Sequence, residues 1–205
     1  MIILSGLRAA GKTTVCNFLE SEGFWCFDTG PFWRKFRDLI APGMNVGELH
    51  FKMRNYTGDE HWEDNFLAAT IRNMYEQGMD KKKDLVLSGY RNVEEALFVV
   101  NKLEGNLFPN RETSIWYVEA PLEIAFERFR EREGEQVTLA DLIKHQEGER
   151  QRGAEKFKDI AHVVIDNSRD TQALHADVRQ IIYGRYGYPI EGNLIEGNPG
   201  GKERK

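Results

Sequence analysis

The chain has 205 residues, of which 40% are hydrophobic and 30% are charged, and its formal net charge is −5. This composition is typical of one folded globular domain, and it argues against a disordered chain and against a surface built wholly to bind nucleic acid. No apolar run approaches the roughly 18 residues that a membrane-spanning helix needs, so no contact with a membrane is expected. The chain shows no export signal and its two cysteines lack a metal-ligand spacing, which favours the cytoplasm.

Short apolar segments alternate along the chain with longer segments of helical spacing. The predicted strands are residues 2–4, 24–27, 84–87, 114–118 and 162–165, and the predicted helices are residues 13–22, 92–103, 122–132, 138–150 and 171–183. In the first helix, Val15, Phe18 and Leu19 recur at a spacing that puts them on one face. Such alternation predicts βαβ units and an α/β fold with a mainly parallel sheet covered on both faces.

Two regions differ from this alternation. Residues 42–82 are polar and aromatic, and we predict a helical insertion there, between the second and third strands. Residues 187–205 carry repeated glycines and a charged end, which predicts a flexible tail. We therefore expect a single domain over residues 1–186, followed by the tail.

Residues 6–14, here called the phosphate loop, match G-x-x-x-x-G-K-[ST] directly after a predicted strand and before a predicted helix. Glycines let the backbone curl so that successive N–H groups point at phosphate oxygens, and the helix N-terminus adds unpaired donors. Lys12 is suited to bridge the β- and γ-phosphates, and the Thr13 hydroxyl is suited to bind Mg²⁺. The pattern predicts a nucleoside triphosphate, taken here as ATP, with Mg²⁺ arriving on it. The expected phosphate-binding residues are Gly6, Arg8, Ala9, Ala10, Gly11, Lys12, Thr13 and Thr14.

Three further segments carry a resemblance to a known family. Residues 27–34, Phe-Asp-Thr-Gly-Pro-Phe-Trp-Arg, are similar to the D-T-G-x-x-Y-R segment of cytidylate kinases. Residues 88–91, Ser-Gly-Tyr-Arg, are similar to the D-G-x-R that ends the third strand in this branch. Residues 161–168 are similar to the A-D-x-V-I-D-N-S of its last strand. From residue 1 to about 183, the chain resembles the P-loop kinases of the cytidylate kinase and dephospho-coenzyme A kinase branch.

The resemblance implies a five-stranded parallel sheet of order 2-3-1-4-5, a helical acceptor-binding insertion and a small lid over residues 128–152. Ligands of such open α/β sheets bind at the carboxyl ends of the strands. Asp28 then lies opposite the phosphate loop, where it either accepts the proton of an acceptor hydroxyl or holds Mg²⁺ through water. It is also placed to cap the helix that follows it.

The same resemblance implies roles for several further residues. Arg34 and Arg91 hold the acceptor, because a guanidinium suits bidentate phosphate recognition, and Tyr90 either stacks on an acceptor base or packs within its loop. On the lid helix, Arg128 and Arg132 contact the donor base and the transferring phosphoryl group, and Arg150 with Arg152 offers a second lid pair. The implied catalytic residues are Lys12, Asp28 and Arg132.

Two departures from the family pattern point to an altered acceptor site. Ser88 stands where the D-G-x-R motif has its acidic residue, so that carboxylate is missing and Asp28 has to carry more of its role. His145 and Gln146 stand nearest to the place where the lid helix normally has an Arg-Asp pair.

The reaction that these residues imply is transfer of the γ-phosphoryl group of ATP to a nucleotide or nucleoside-type acceptor. Three alternatives stay open: a kinase that acts on a hydroxylated base in DNA, a kinase that acts on dephospho-coenzyme A, and a non-catalytic ATP-binding switch. A DNA acceptor predicts a basic track around Arg34, Arg37, Lys52, Arg54 and residues 81–83. The sequence does not determine the oligomeric state.

Overall fold

The computed structural model describes residues 1–78, 83–104 and 112–186. Within these residues, five parallel strands form one sheet in the order second, third, first, fourth, fifth, which confirms the expected topology. Each strand lies within one residue of the segment predicted for it. The strands are β1 (Ile2–Ser5), β2 (Trp25–Asp28), β3 (Leu85–Ser88), β4 (Ser114–Glu119) and β5 (Val163–Asp166).

The helices also follow the predicted order. They are α1 (Lys12–Ser21), α2 (Thr29–Ile40), α3 (Val46–Thr57), α4 (Trp62–Glu76), α5 (Val93–Glu104), α6 (Leu122–Glu133), α7 (Leu139–Gln151), α8 (Lys156–Asp159) and α9 (Thr171–Tyr186). The insertion is helical as predicted, in α3 and α4, although residues 79–82 lie outside the described residues. The predicted tail over residues 187–205 also lies outside them.

Helix α7 begins where its sequence predicts. The Thr138 hydroxyl accepts a hydrogen bond from the Asp141 backbone N–H, and the Asp141 carboxylate accepts one from the Thr138 backbone N–H. This reciprocal capping satisfies two donors that the helix itself leaves unpaired. The cap therefore fixes the start of the helix that carries the second half of the expected lid.

The sheet is buried on both faces because successive side chains of a strand point in opposite directions. Ile3 of β1 packs with Trp33 of α2 and Val99 of α5 on one face. Leu4, on the other face, packs with Leu19 of α1 and with residues of α9. Parallel strands end at the same edge of a sheet, so the segments after β1, β2, β3 and β5 come together there.

In residues 1–78, 83–104 and 112–186, none of the helices has the length and the apolar character required to cross a bilayer.

Replacement of Trp116 tests how much the sheet depends on this burial. Trp116 in β4 is fully buried, and its indole N–H donates to the Ser114 hydroxyl at 2.8 Å. We expect Trp116→Ala to lower the free energy of unfolding by about 3–5 kcal/mol, the cost of a large core cavity. Urea denaturation followed by circular dichroism measures this change.

The matched control is Val164→Ala on the neighbouring strand β5, because Val164 is 45% exposed. We expect this change to cost less than about 1 kcal/mol. Equal losses in the two variants would contradict the burial assigned to β4.

Candidate active site

The phosphate loop has a backbone conformation that its glycines make accessible. Gly6 has φ +148° and Gly11 has φ +103°, and Ala9 between them has φ +64°. A side chain at residue 6 would collide with the backbone carbonyl of Val118 in β4. The loop therefore curls directly against the sheet, as the sequence pattern predicts.

Asn167, the residue that follows β5, braces this loop. Its side-chain Nδ2 donates to the Ala10 carbonyl at 2.8 Å, and a side chain at Gly11 would collide with it. Arg128 of α6 in turn donates to the backbone carbonyl and to the side-chain oxygen of Asn167, at 3.1 and 3.2 Å. Arg128 is thus engaged with the support of the loop, and its expected contact with a donor base would be made from this position.

The Lys12 side chain folds back onto the loop from the first turn of α1. Its Nζ donates to the Gly6 carbonyl at 2.6 Å and to the Leu7 carbonyl at 3.0 Å. Burial is the main cause that lowers the Lys12 pKa, from 10.5 to about 8. Keeping the ammonium charged in this partly desolvated position therefore costs free energy, which the negative charge of a bound phosphate would offset.

Four charged side chains from other elements lie close enough to Lys12 to change its pKa. After burial, which lowers it most, Glu149 of α7 and Asp28 raise this pKa, whereas Arg91 and Arg132 lower it. Three of these four, Asp28, Arg91 and Arg132, are residues that the sequence picks out. The fold thus brings all four charged residues near Lys12 from four separate segments of the chain.

Asp28 ends β2 directly opposite Ser88 of β3. Its Oδ1 accepts a hydrogen bond from the Gly30 backbone N–H at 3.0 Å, so it caps α2 as its position suggests. Gly89 has φ +95°, and a side chain there would lie 2.8 Å from the Asp28 carboxylate. Glycine at that position lets the loop after β3 approach the carboxylate closely.

The expected acceptor residues have three different surroundings. Arg91 donates from its Nε to the Glu149 carboxylate at 3.0 Å. Arg34 is exposed on α2, beside Gly30, and its side chain makes no hydrogen bond to any described residue. Tyr90 is only 7% exposed and packs in the core, so its ring offers no free face on which a base could stack, and packing within its loop is the alternative that the structure favours.

The two helices of the expected lid, α6 and α7, contact the phosphate loop. Glu133 at the end of α6 binds both Arg8, at 2.9 Å, and Arg132, at 3.0 Å. Both guanidinium groups also lie over the Phe129 ring, at 5.3 and 5.9 Å from its centre. Gln146 of α7 donates to the Arg8 carbonyl at 3.0 Å. The Arg8 side chain therefore joins the loop to the expected lid, and the phosphate contact expected of Arg8 stays a prediction.

The other candidate lid arginines have weaker links to the site. Arg150 donates to Glu155 at 2.8 Å, and the Arg152 side chain is exposed. Of the four candidate lid arginines, Arg132 is the one named among the charges that change the Lys12 pKa. Its side chain is half exposed, so it retains the freedom to reorient toward a bound nucleotide.

Sequence reasoning missed two residues of this site. Asn167 belongs to residues 161–168, which resemble the family pattern, and that resemblance is the signal by which it could have been found. Glu149 stands in a charge-rich segment beside Glu147 and Arg150, and nothing in that pattern marks it out. Only the packing of α7 against the loop after β3 distinguishes Glu149 from its neighbours.

The fold and the phosphate loop together define a P-loop nucleotide-binding protein with the fold of the P-loop kinases. The model of the AAA_18 family, described as an AAA domain, matches residues 2–170. Because this match covers most of the chain, the chain belongs to that family.

Two solved structures share the fold over most of the chain. The protein TT1252 from Thermus thermophilus superposes with a TM-score of 0.53 and 16% identity, over 90% of this chain and 96% of that chain. Shikimate kinase from Aquifex aeolicus gives a TM-score of 0.50 and 16% identity, over 90% of this chain and 97% of that chain. At this identity the likeness concerns the fold alone.

A curated relative matches a shorter part of the sequence. A nucleotide-binding protein from Thermosipho melanesiensis is 36% identical over 61 residues, which are 29% of this chain and 21% of that protein. The match therefore spans about a fifth of the relative's length.

The low Lys12 pKa predicts how ATP affinity depends on pH. With a pKa of about 8 in the ligand-free protein, the ammonium loses its proton as the pH rises through 8. In the complex, the negative charge of the phosphates keeps Lys12 protonated at the same pH. We expect the ATP dissociation constant to rise by up to roughly tenfold per pH unit above that point. Titration calorimetry at pH 7, 8 and 9 measures it.

Lys12→Gln is the control for this titration, because it removes the titrating group. We expect weaker binding in this variant with little dependence on pH between 7 and 9. A wild-type affinity that stays constant over the same range would show that Lys12 is not the group concerned.

Removal of the brace on the phosphate loop is expected to destabilise the protein. Asn167→Ala removes the donor to the Ala10 carbonyl and one of the two oxygens that Arg128 binds, at a cost of about 1–3 kcal/mol in the free energy of unfolding. Ser168→Ala, one residue later, removes only a bond to Asp166 at the surface and is expected to change little. Urea denaturation compares the two variants, and equal stabilities would contradict the brace.

Proposed function

We propose that the protein is an ATP-dependent phosphotransferase that moves the γ-phosphoryl group of ATP to a nucleotide or nucleoside-type acceptor. The observation that carries this proposal is the set of charged groups around Lys12, contributed by Asp28, Arg91, Arg132 and Glu149. Phosphoryl transfer needs little from a protein except positioning and compensation of charge. A switch that only binds ATP has no evident use for these converging groups.

The residues present fit ATP and Mg²⁺. The loop has the positive-φ residues of an anion-binding cradle, and among the described residues Lys12 Nζ donates to two carbonyls, which a phosphate can replace. The Thr13 side chain is exposed at the first turn of α1, and Asp28 is the last residue of strand β2. These two oxygen-bearing side chains would hold Mg²⁺, which neutralises charge on the phosphates when bound.

In the proposed reaction, the acceptor oxygen forms a bond to the γ-phosphorus as the bond from that phosphorus to the bridging oxygen breaks. ADP leaves, and the proton of a hydroxyl acceptor passes to a carboxylate or to water. Lys12 and Arg132 compensate the charge of the transferring group, and Arg34 and Arg91 hold the acceptor. Asp28 orients the acceptor or the metal.

The lid has a role in this scheme because water is a competing acceptor. Phe129 and Glu133 already hold α6 against Arg8 of the phosphate loop. Closure of α6 and α7 over bound substrates would exclude water and limit wasteful hydrolysis of ATP.

We assign the protein to the cytidylate kinase and dephospho-coenzyme A kinase branch on the three segments that resemble it. The cytoplasm is the proposed compartment, since Cys16 and Cys26 are free thiols. A small acceptor is favoured over DNA, because three cations of the expected basic track are paired with acids. Arg37 binds Asp38, Lys52 binds Glu48 and Arg54 binds Glu63.

Replacement of Asp28 tests the proposed reaction. We expect Asp28→Asn to lower kcat by about 10²–10⁴-fold, the usual worth of a positioned acid or base, and to leave ATP binding nearly unchanged. The assay follows γ-labelled ATP with Mg²⁺ and a panel of nucleosides, nucleoside monophosphates, dephospho-coenzyme A and DNA with hydroxymethylated bases.

The matched control is Asp38→Asn, which removes an exposed carboxylate from the same helix. We expect it to turn over like the wild type. Unchanged turnover in Asp28→Asn would contradict the role proposed for the Asp28 carboxylate in the reaction. Tight ATP binding by the wild type with no labelled product and no released phosphate would favour the switch.

A further inference from the structure

Glu149 is a buried carboxylate with one oxygen bound and the other free. It lies on α7 and is only 4% exposed. Its Oε1 accepts the hydrogen bond from Arg91 at 3.0 Å, whereas its Oε2 is shielded from solvent and has no hydrogen-bond partner among the described residues. A buried polar atom without a partner costs about 1–3 kcal/mol, and more when it is charged. Such an atom indicates a donor that the ligand-free protein lacks.

Glu149 lies beside both the phosphate loop and the loop after β3. Among the charged neighbours of Lys12, Glu149 has the largest effect on the lysine's pKa. It also contacts the loop after β3 through Arg91, which is 58 residues away in sequence. The carboxylate therefore lies between the phosphate loop and the expected acceptor residues.

Glu149 supplies a carboxylate where the family pattern has lost one. Ser88 replaces the acidic residue at the end of β3, and its hydroxyl is fully buried without a partner among the described residues. Glu149 reaches the same loop from the lid helix and binds Arg91, three residues after Ser88. A charge that usually comes from the sheet thus comes here from a helix that rests on the loop.

The chemistry of a carboxylate restricts what can bind to its free oxygen. An ionised carboxylate only accepts hydrogen bonds, so its partner has to be an O–H or N–H group. The oxygens of an ionised phosphate are acceptors as well, and they carry the same sign of charge. A phosphate acceptor placed here would be repelled, whereas a hydroxyl would complete the missing hydrogen bond.

The cavity beside the loop after β3 is also lined by acidic residues, which disfavour a phosphate acceptor. It has a volume of about 850 Å³, lies between α3, α4 and α5, and is lined by Asn92, the residue after Arg91. Its acidic lining residues are Glu60, Asp64, Glu94 and Glu95. Arg54, also in its wall, is already bound to Glu63 by two hydrogen bonds. Burial, with a smaller contribution from the nearby Glu95 and Glu63, raises the Asp64 pKa to about 7.

We propose that the acceptor is an alcohol whose hydroxyl binds Glu149 Oε2, and that phosphate groups are not acceptors. This inference rests on the proposed phosphotransferase function and narrows it. The bond between the acceptor oxygen and the γ-phosphorus forms, the bond from that phosphorus to the bridging oxygen breaks, and ADP leaves. The hydroxyl proton passes to Glu149, and Asp28 keeps the role toward Mg²⁺. The product is a phosphate ester.

The first test compares nucleosides with their own 5′-monophosphates as acceptors of label from γ-labelled ATP. We expect the label in phosphate esters, with nucleosides at least roughly tenfold faster. Phosphorus NMR identifies the linkage as an ester or as a phosphoanhydride. Formation of nucleoside diphosphates as the main products would overturn the inference and leave the proposed kinase function intact.

The second test replaces Glu149 itself. Glu149→Gln keeps the shape of the side chain and removes the proton acceptor, so we expect kcat to fall by about 10²–10⁴-fold while ATP affinity stays within about threefold. Glu147→Gln, an exposed position on the same helix, is the matched control and is expected to behave like the wild type. Equal kcat values in the two variants would overturn the inference.

A rescue variant separates chemistry from structure. Ser88→Asp returns a carboxylate to the end of β3, so we expect it to restore part of the turnover of Glu149→Gln. A role of Glu149 limited to holding Arg91 would not be restored in this way, and a double variant that folds but gains no turnover would count against the inference. Circular dichroism and thermal unfolding establish that it folds.

Water is itself an O–H donor, so ATP hydrolysis reports on Glu149 even if no organic acceptor in the panel reacts. If the wild type transfers label to none of the acceptors in the panel, the nucleotide or nucleoside-type acceptor proposed above is overturned. Slower hydrolysis in Glu149→Gln than in Glu147→Gln would still support a hydroxyl partner for Glu149. Equal hydrolysis rates would overturn it.

Discussion

The partial burial of the Lys12 side chain is the constraint on which the rest of the site depends. An ammonium group loses much of its hydration when buried, and the two loop carbonyls at 2.6 and 3.0 Å replace only part of it. The loop has to keep its curled backbone for those carbonyls to point at the ammonium. Gly6 against β4, and Asn167 with Arg128 behind Ala10, hold that backbone in place. The sheet therefore acts on the site mainly by fixing the loop.

Side chains of both signs of charge act on Lys12. The carboxylates of Glu149 and Asp28 stabilise the ammonium, and the guanidinium groups of Arg91 and Arg132 oppose it. Arg91 is tied to Glu149, and Arg132 to Glu133, so neither guanidinium is left uncompensated in the ligand-free protein. A triphosphate entering this cleft would exchange these internal pairs for contacts with its own charges. The same contacts that hold the lid on the loop are thus those that substrates would rearrange.

Much of the architecture was predictable because its signals are local. Each strand is a short apolar run bounded by polar or glycine residues, and the Thr138 cap of α7 is visible within four residues. The fate of individual side chains was less predictable. Tyr90 belongs to a segment that resembles a family motif, yet it is buried in the core. Arg8 lies within the phosphate loop, yet its side chain binds Glu133, 125 residues away. Such outcomes depend on which distant surfaces meet, and a motif carries no information about that.

The sequence by itself determined the parallel sheet, the conformation of the phosphate loop and the order in which the site residues follow the strands. Periodicity and glycine placement act over a few residues, so they can be read without a partner segment. Only the tertiary structure decided that Glu149 from the lid helix would face Arg91 and Lys12, with one oxygen left free. That outcome requires α7 to pack across the carboxyl ends of the strands, and the energy of a buried charge is set by everything that surrounds it in space.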